Sequence, residues 1–357
     1  MPDPIFAAIG IFLLVLTFWD LFQTVVVPRP TPGHFRIARY LVRPLWRVVR
    51  SFRDGERGRP HDQLLGLFAP AMTVLLLIAW LITLIVGYGL ILYALRDELV
   101  PSPENLGTAL YYAATSLLTI GYGDIVAVQT PARLVSVIAA VGGLGVVALV
   151  VTFLFSLYGN YQRREVQVVA LQAAAGAPPS AVALLESYAH LDLVHRLPDL
   201  FQDWERWAVE VLDSHVSYPL LGYFRSSHDN LSWISALGTA LDAASLVLTT
   251  IEGVPRGEAK LFKRVGTHLV EDIYNLGFRS DIVTRLERPD FEAAADRLAE
   301  AGYRIDDRDR AWIAFEAARA TYAARLEAMA AYWATPASQW LGDPTVLRQP
   351  LHPGDDP

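Results

Sequence analysis

The 357-residue chain has no cysteine. Disulfides, thiolate zinc sites and thiol catalysis are therefore excluded, and nothing reports the redox compartment. It also lacks a glycine-rich dinucleotide fingerprint and a calcium-loop pattern. No alternation of apolar and polar residues lasts long enough to build a sheet. No nucleophile–base pair or substrate motif stands out, so neither an enzyme nor a cofactor is expected. Charge is nearly missing from three long stretches, 5–27, 64–95 and 132–158. No basic residue precedes the first of these and no small-residue cleavage site follows it, so it is read as a retained helix and not a signal peptide.

What is present is apolar: 53% of the residues are hydrophobic. A bilayer crossing takes ~20 residues of helix, and each of the three stretches suffices. The remaining charge is segregated. Between Pro28 and Asp62 nine arginines face three acidic residues, whereas from Asn160 onward nineteen basic residues face twenty-eight acidic ones. Positive-inside bias then puts the arginine-rich stretch and Arg163–Arg164 in the cytoplasm. The N-terminus is expected outside a multi-pass cell-membrane protein, with the C-terminal part cytoplasmic. The acidic balance of that part argues against nucleic acid as a partner. Its apolar spacing predicts helices over 181–197, 199–212, 232–250, 260–275, 290–302 and 308–333. The stretch over 232–251 is apolar enough to raise a fourth crossing, but Asp242 at its centre and its modest length favour a buried core helix. The expected architecture is an all-α membrane protein: three transmembrane helices, a re-entrant helix with a filter, and an all-α cytoplasmic domain.

Between the second and third spans, Ser102 and Pro103 read as cap and first turn of a helix over 103–118. Four turns are too few to cross, so the segment must dip into the membrane and return, lined by protein or water. Thr119-Ile120-Gly121-Tyr122-Gly123-Asp124 follows it. A dehydrated cation needs a ring of oxygens in place of its water, and carbonyls supply them without a trapping charge. Pointing successive carbonyls to one axis requires backbone angles that Gly121 and Gly123 permit.

These residues resemble the Thr-Val/Ile-Gly-Tyr-Gly-Asp signature of the potassium-channel pore family. The resemblance covers about 64–158 and defines a pore domain over 63–160, with outer helix 64–95, pore helix 103–118, filter 119–124 and inner helix 132–158. It implies a homotetramer around one pore, with K+ the permeant ion and the only metal, held by Thr119, Ile120, Gly121, Tyr122 and Gly123, and with Asp124 at the outer mouth. Tyr111 and Tyr112 fall where the family braces the filter tyrosine. Thr115 stands where some members carry a glutamate paired with the outer-mouth acid, and Leu118 where threonine is usual. Both departures bear on slow inactivation more than on selectivity. Gly143 lies at the position of the family's hinge glycine, next to Gly142; close helix packing through small residues is the competing reading. Val147, Val151 and Phe155 follow it at four-residue steps and would line a cavity.

Outside the pore domain, 1–27 is expected to be a transmembrane helix and 28–62 a basic amphipathic segment on the cytoplasmic side. There Arg43, Arg47 and Arg50 continue a stripe from Arg36 and Arg39 and face membrane lipids, anionic ones included. A voltage sensor is the sharper alternative, against which Pro44 and the short apolar run argue. Asp20 and Gln23 are expected to contact a neighbouring helix. The domain over 161–345 is expected to control the gate through an unidentified cytoplasmic ligand. An aromatic group around Trp204, Trp207, Tyr218, Tyr223, Phe224 and Trp233 is a candidate pocket, with a plain core as the alternative. His215, His228 and Asp229, and separately His268, Glu271 and Asp272, are candidate metal ligands. A disordered tail is expected over 346–357.

Overall fold

The computed structural model describes residues 3–27, 37–51, 59–226, 231–275, 278, 286–335 and 340–341. They fall into two compact units, Met1–Tyr158 and Gly159–Pro357. The chain is an all-α membrane protein: Pro4–Val26, Leu65–Ala94 and Thr130–Ala175 are long and apolar enough to cross a bilayer. The described residues contain only two two-residue strand pairs. The expected tail, His228, Asp229 and the stretches 28–36 and 52–58 lie outside the described residues.

In the first unit, α1 (Pro4–Leu21) starts at the Asp3 cap and ends in a widened π turn, Phe22–Val26. It runs antiparallel along α3 (Arg59–Ala94), with Phe6 edge-on to Tyr93 at 5.3 Å and the Trp80 indole donating to Asp20 at 2.7 Å. A Cβ built on Gly10 would lie 2.5 Å from the Gly87 carbonyl oxygen, so these two glycines let the backbones approach. Asp20 and Gln23 are buried against this neighbour, as the cost of polar groups in lipid requires. Between α1 and α3 comes α2 (Ile37–Ser51), whose 15 residues are too few to span. The helix α3 begins at Arg59, inside the segment 28–62 expected to be basic and amphipathic, and its apolar span begins at Leu65.

After α3, β1 (Leu99–Val100) leads into α4 (Leu106–Leu117), and β2 (Val126–Ala127) leads out to α5 (Thr130–Ala175). The strands pair antiparallel, Leu99 with Ala127 and Val100 with Val126, and clamp the two ends of the loop together. The expected start of α4 is corrected here. Asn105, not Ser102, is the cap: its Oδ1 accepts from the Thr108 amide at 3.0 Å, and the helix is three turns over 106–117. A side chain one residue before the first helical position out-competes one three residues earlier, because it reaches the free amides directly.

The second unit is built around α8 (Trp233–Thr249), buried at every position from 233 to 247. Around it lie α6 (Ala181–His190), α7 (Leu197–Ser217), α9 (Gly257–Asn275), α10 (Arg288–Glu300), α11 (Arg308–Ala320) and α12 (Ala323–Tyr332). The small pair β3 (Ile251–Glu252) and β4 (Arg304–Ile305) ties α8 to α11. Asp242 of α8 accepts from Arg319 at 3.2 Å and from the Tyr322 hydroxyl. Drawing Tyr322 into the core explains why the helix expected over 308–333 breaks in two there. Burial pushes the Asp242 carboxyl and the Tyr322 phenol up from their ordinary values. Likewise 181–197 is interrupted at Asp192, which adopts φ 56°.

Candidate ion filter

The turn after α4 has the backbone that a ring of ion-facing carbonyls requires. Thr119, Gly121 and Gly123 have φ of 55°, 60° and 78°, whereas Ile120 and Tyr122 between them do not enter positive φ. In an extended strand successive carbonyls alternate sides. Reversing the hand at every second residue brings them to one side. For glycine this is free of steric penalty, but for a β-branched threonine it stores about 1–3 kcal/mol. Hydrogen bonds to the end of α4 hold it: the Thr119 amide donates to Ser116 O at 3.1 Å, and the Ile120 and Gly121 amides to Thr115 O at 2.8 and 3.3 Å. No side chain or backbone atom lies within 4 Å of where a Cβ at Gly121 or Gly123 would sit. The turn thus presents an open face, with Ile120 and Tyr122 48% and 70% exposed.

The supporting side chains come from α4. Tyr111 stacks on Tyr122 at 6.5 Å and 6° and donates its hydroxyl to Asp124 Oδ2 at 2.9 Å. Tyr112 is buried and its hydroxyl bonds Ser136 of α5 at 3.0 Å. Thr115 bonds back to Tyr112 O at 3.0 Å and does not reach Asp124; Tyr111 meets the outer acid instead. Two contributors escaped the sequence. Ser136 sits 24 residues from Tyr112, and Glu98 accepts from the Ala132 amide at the start of α5 at 2.9 Å across 34 residues. No local pattern marks either residue, because each contact exists only once the loop has closed.

α5 runs unbroken through Gly142, Gly143 and Gly145. A Cβ on Gly143 would lie 1.9 Å from the Leu117 carbonyl oxygen, so the inner helix lies directly against the end of α4. One on Gly142 would be 3.1 Å from the Tyr88 hydroxyl and 3.4 Å from Phe18, and one on Gly145 meets nothing within 4 Å. Close packing accounts for Gly143 without a bend. Val147, Val151 and Phe155 are exposed on α5.

The other candidates separate from the filter. No cluster of metal-ligating side chains exists among the described residues. His268 instead pairs with Asp272 at 3.5 Å, and Glu271 accepts from Arg325. Trp204, Trp207, Tyr223, Phe224 and Trp233 are buried core, not a pocket, with Tyr218 half-buried beside them. Arg164, expected as a basic membrane flank, is buried. Its five N–H groups are all used, on Glu165 Oε1, Leu221 O, Phe224 O and His215 Nε2. His215 donates through Nδ1 to Val211 O at 2.9 Å, which leaves Nε2 as the acceptor for Arg164. Burial, with Arg164 second, lowers its pKa to about 3, so the imidazole is neutral.

Residues 72–160 match a family model described as an ion channel. The chain is 28% identical over 93 residues to the delayed-rectifier potassium channel regulatory subunit KCNS2 of Mus musculus, covering 25% of this chain and 20% of that one. It is 31% identical over 87 residues to the voltage-gated potassium channel regulatory subunit KCNG1 of Homo sapiens, covering 24% and 17%. The chain thus spans about a fifth of the length of these curated relatives. No solved structure matches it. The matched family is one of channels and not of enzymes, and 72–160 is an ion-channel domain of the two-helix potassium-channel pore family.

Proposed function

We propose that the chain is a subunit of a potassium-selective channel, with four copies surrounding one pore. The observation that carries this reading is the left-handed backbone at alternate filter residues beside an open face. One chain offers oxygens from one side only, and a dehydrated K+ needs them all round. Carbonyls of Thr119, Ile120, Gly121, Tyr122 and Gly123 hold the permeant ions, and Asp124, steadied by Tyr111, attracts them to the outer mouth. Val147, Val151 and Phe155 line the cavity below. The N-terminus lies outside and the second unit in the cytoplasm, where its excess of acidic residues raises the local cation concentration. That unit follows the third span in the chain and biases the gate through a ligand with different affinity for its open and closed arrangements. Reversal potentials of the purified protein in bilayers with mixed potassium and sodium test the core of the reading. Strong potassium preference, lost with conduction or selectivity in Gly121→Ala, is the expected result. Equal permeability in the unmodified protein sinks it.

A second reading rests on the relatives' names, which call them regulatory subunits. On that reading the chain lends its filter only to assemblies with another pore-forming chain. Recording from the chain purified alone separates the two: conduction favours the first reading, and silence rescued by a partner subunit favours the second.

A further inference from the structure

α2 presents three faces. On the first, Val42 and Trp46 are buried, and the Trp46 ring packs edge-on against Phe68 of α3 with 4.8 Å between centroids. Phe68 lies in the first turn of the apolar span Leu65–Ala94, so this contact holds α2 beside the end of that span. Interfacial tryptophan suits that position. Arg43, Arg47 and Arg50 form the second face at four- and three-residue steps. Leu45 and Val48 form the third, 38% and 56% exposed. At 100° per residue, this apolar face lies nearly opposite the arginines. Within Ile37–Ser51 there are four arginines and no acidic residue.

A docked helix with an exposed apolar stripe opposite a basic one, in which Arg47 and Arg50 are exposed and Arg43 half-buried, suits neither water nor hydrocarbon and settles at their boundary. We propose that α2 is a binding surface for anionic phospholipid headgroups, Leu45 and Val48 entering the acyl layer and Arg43, Arg47 and Arg50 engaging lipid phosphates. The reasons for lipid are charge complementarity and the position set by Trp46 on Phe68. Guanidinium groups meet phosphate oxygens in bidentate pairs and, on long stems, reach the headgroup layer from a helix lying beneath it. The proposal rests on the membrane character of the chain and is independent of how its filter selects ions.

The test uses the full chain reconstituted in vesicles of phosphatidylcholine and phosphatidylglycerol, with the lipid retained on extraction measured by mass spectrometry. Preferential retention of phosphatidylglycerol is expected. R43Q/R47Q/R50Q should lose it by about fivefold per arginine, whereas R43K/R47K/R50K should keep most of it, because charge persists while the buried face is untouched. Soluble pyrophosphate should not displace the lipid. Equal retention before and after glutamine substitution, displacement by pyrophosphate, or an arginine effect identical in purely neutral vesicles would each overturn the proposal, the last by assigning the stripe to an acidic protein surface. Reversal potentials of the same variants should be unchanged, so that failure here is distinct from failure of the filter reading.

Discussion

Gly143→Ala places a methyl carbon 1.9 Å from the Leu117 carbonyl oxygen, where contacts under 3.0 Å are essentially never found. Relief requires α5 and the end of α4 to separate by about 1.1 Å, the difference between those two distances. Neither partner is a flexible side-chain tip; both are helix backbone. Overpacking of this kind costs about 1–3 kcal/mol, partly offset by the ~1 kcal/mol by which alanine favours helix over glycine. Leu117 is two residues from Thr119, and the amides that fix the filter donate to Thr115 and Ser116. Strain at this contact is thus delivered to the ion sites, and even 1 kcal/mol there changes occupancy about fivefold. The expectation from the contact is a several-fold fall in unitary conductance or a shift in the potassium–sodium reversal potential. A hinge predicts something else, a change in open probability alone. Single-channel recording in bilayers separates them, and Gly145→Ala is the control because nothing lies within 4 Å of its Cβ. Gly142→Ala, with contacts of 3.1 and 3.4 Å, should fall between. The packing argument is refuted if Gly143→Ala alters open probability while conductance and reversal potential stay at the values of the unmodified channel.

Trp80→Phe removes the indole donor to the buried Asp20 carboxyl, and a lost hydrogen bond is worth about 0.5–1.5 kcal/mol; the thermal midpoint in lipid nanodiscs should drop, and an unchanged midpoint would show that α1 is held by packing alone. Arg164→Lys replaces five directed N–H groups by three and strands buried acceptors, so unfolding of the second unit should become easier by about 3 kcal/mol or more, read from denaturant titration of the full chain. His215 binds its proton near 6.5 in the unfolded chain but only at about 3 when folded. The unfolded state therefore takes up more protons in that window. This group leaves stability flat above pH 6.5 and lowers it by about 1.4 kcal/mol per unit below. Melts at stepped pH should show that slope, and His215→Gln should flatten it; a slope unchanged by the substitution would place its origin elsewhere.

Three helices of membrane-crossing length, a short helix between the last two and a glycine-bearing turn after it follow from local features of the sequence. Run length sets whether a helix can cross a bilayer, and left-handed backbone at a defined spacing demands glycine, so both are written in consecutive residues. The core character of α8 was legible in the same way, from an apolar run too short and too interrupted by Asp242 to serve as a crossing. What remained open depended on contacts between distant residues. The cap of α4 passed from Ser102 to Asn105 by direct geometry. Tyr111 took over the outer acid because its ring already stacks on Tyr122, which puts its hydroxyl within 2.9 Å of Asp124. Arg164 looks in sequence like any basic residue flanking a span, yet His215, Leu221 and Phe224, 51 to 60 residues away, supply the acceptors that bury it. Gly143 likewise could be a swivel or a contact by sequence, since a missing side chain serves both. The approach of Leu117 supplies a contact that no sequence pattern announces, because the space a glycine leaves has meaning only when something fills it.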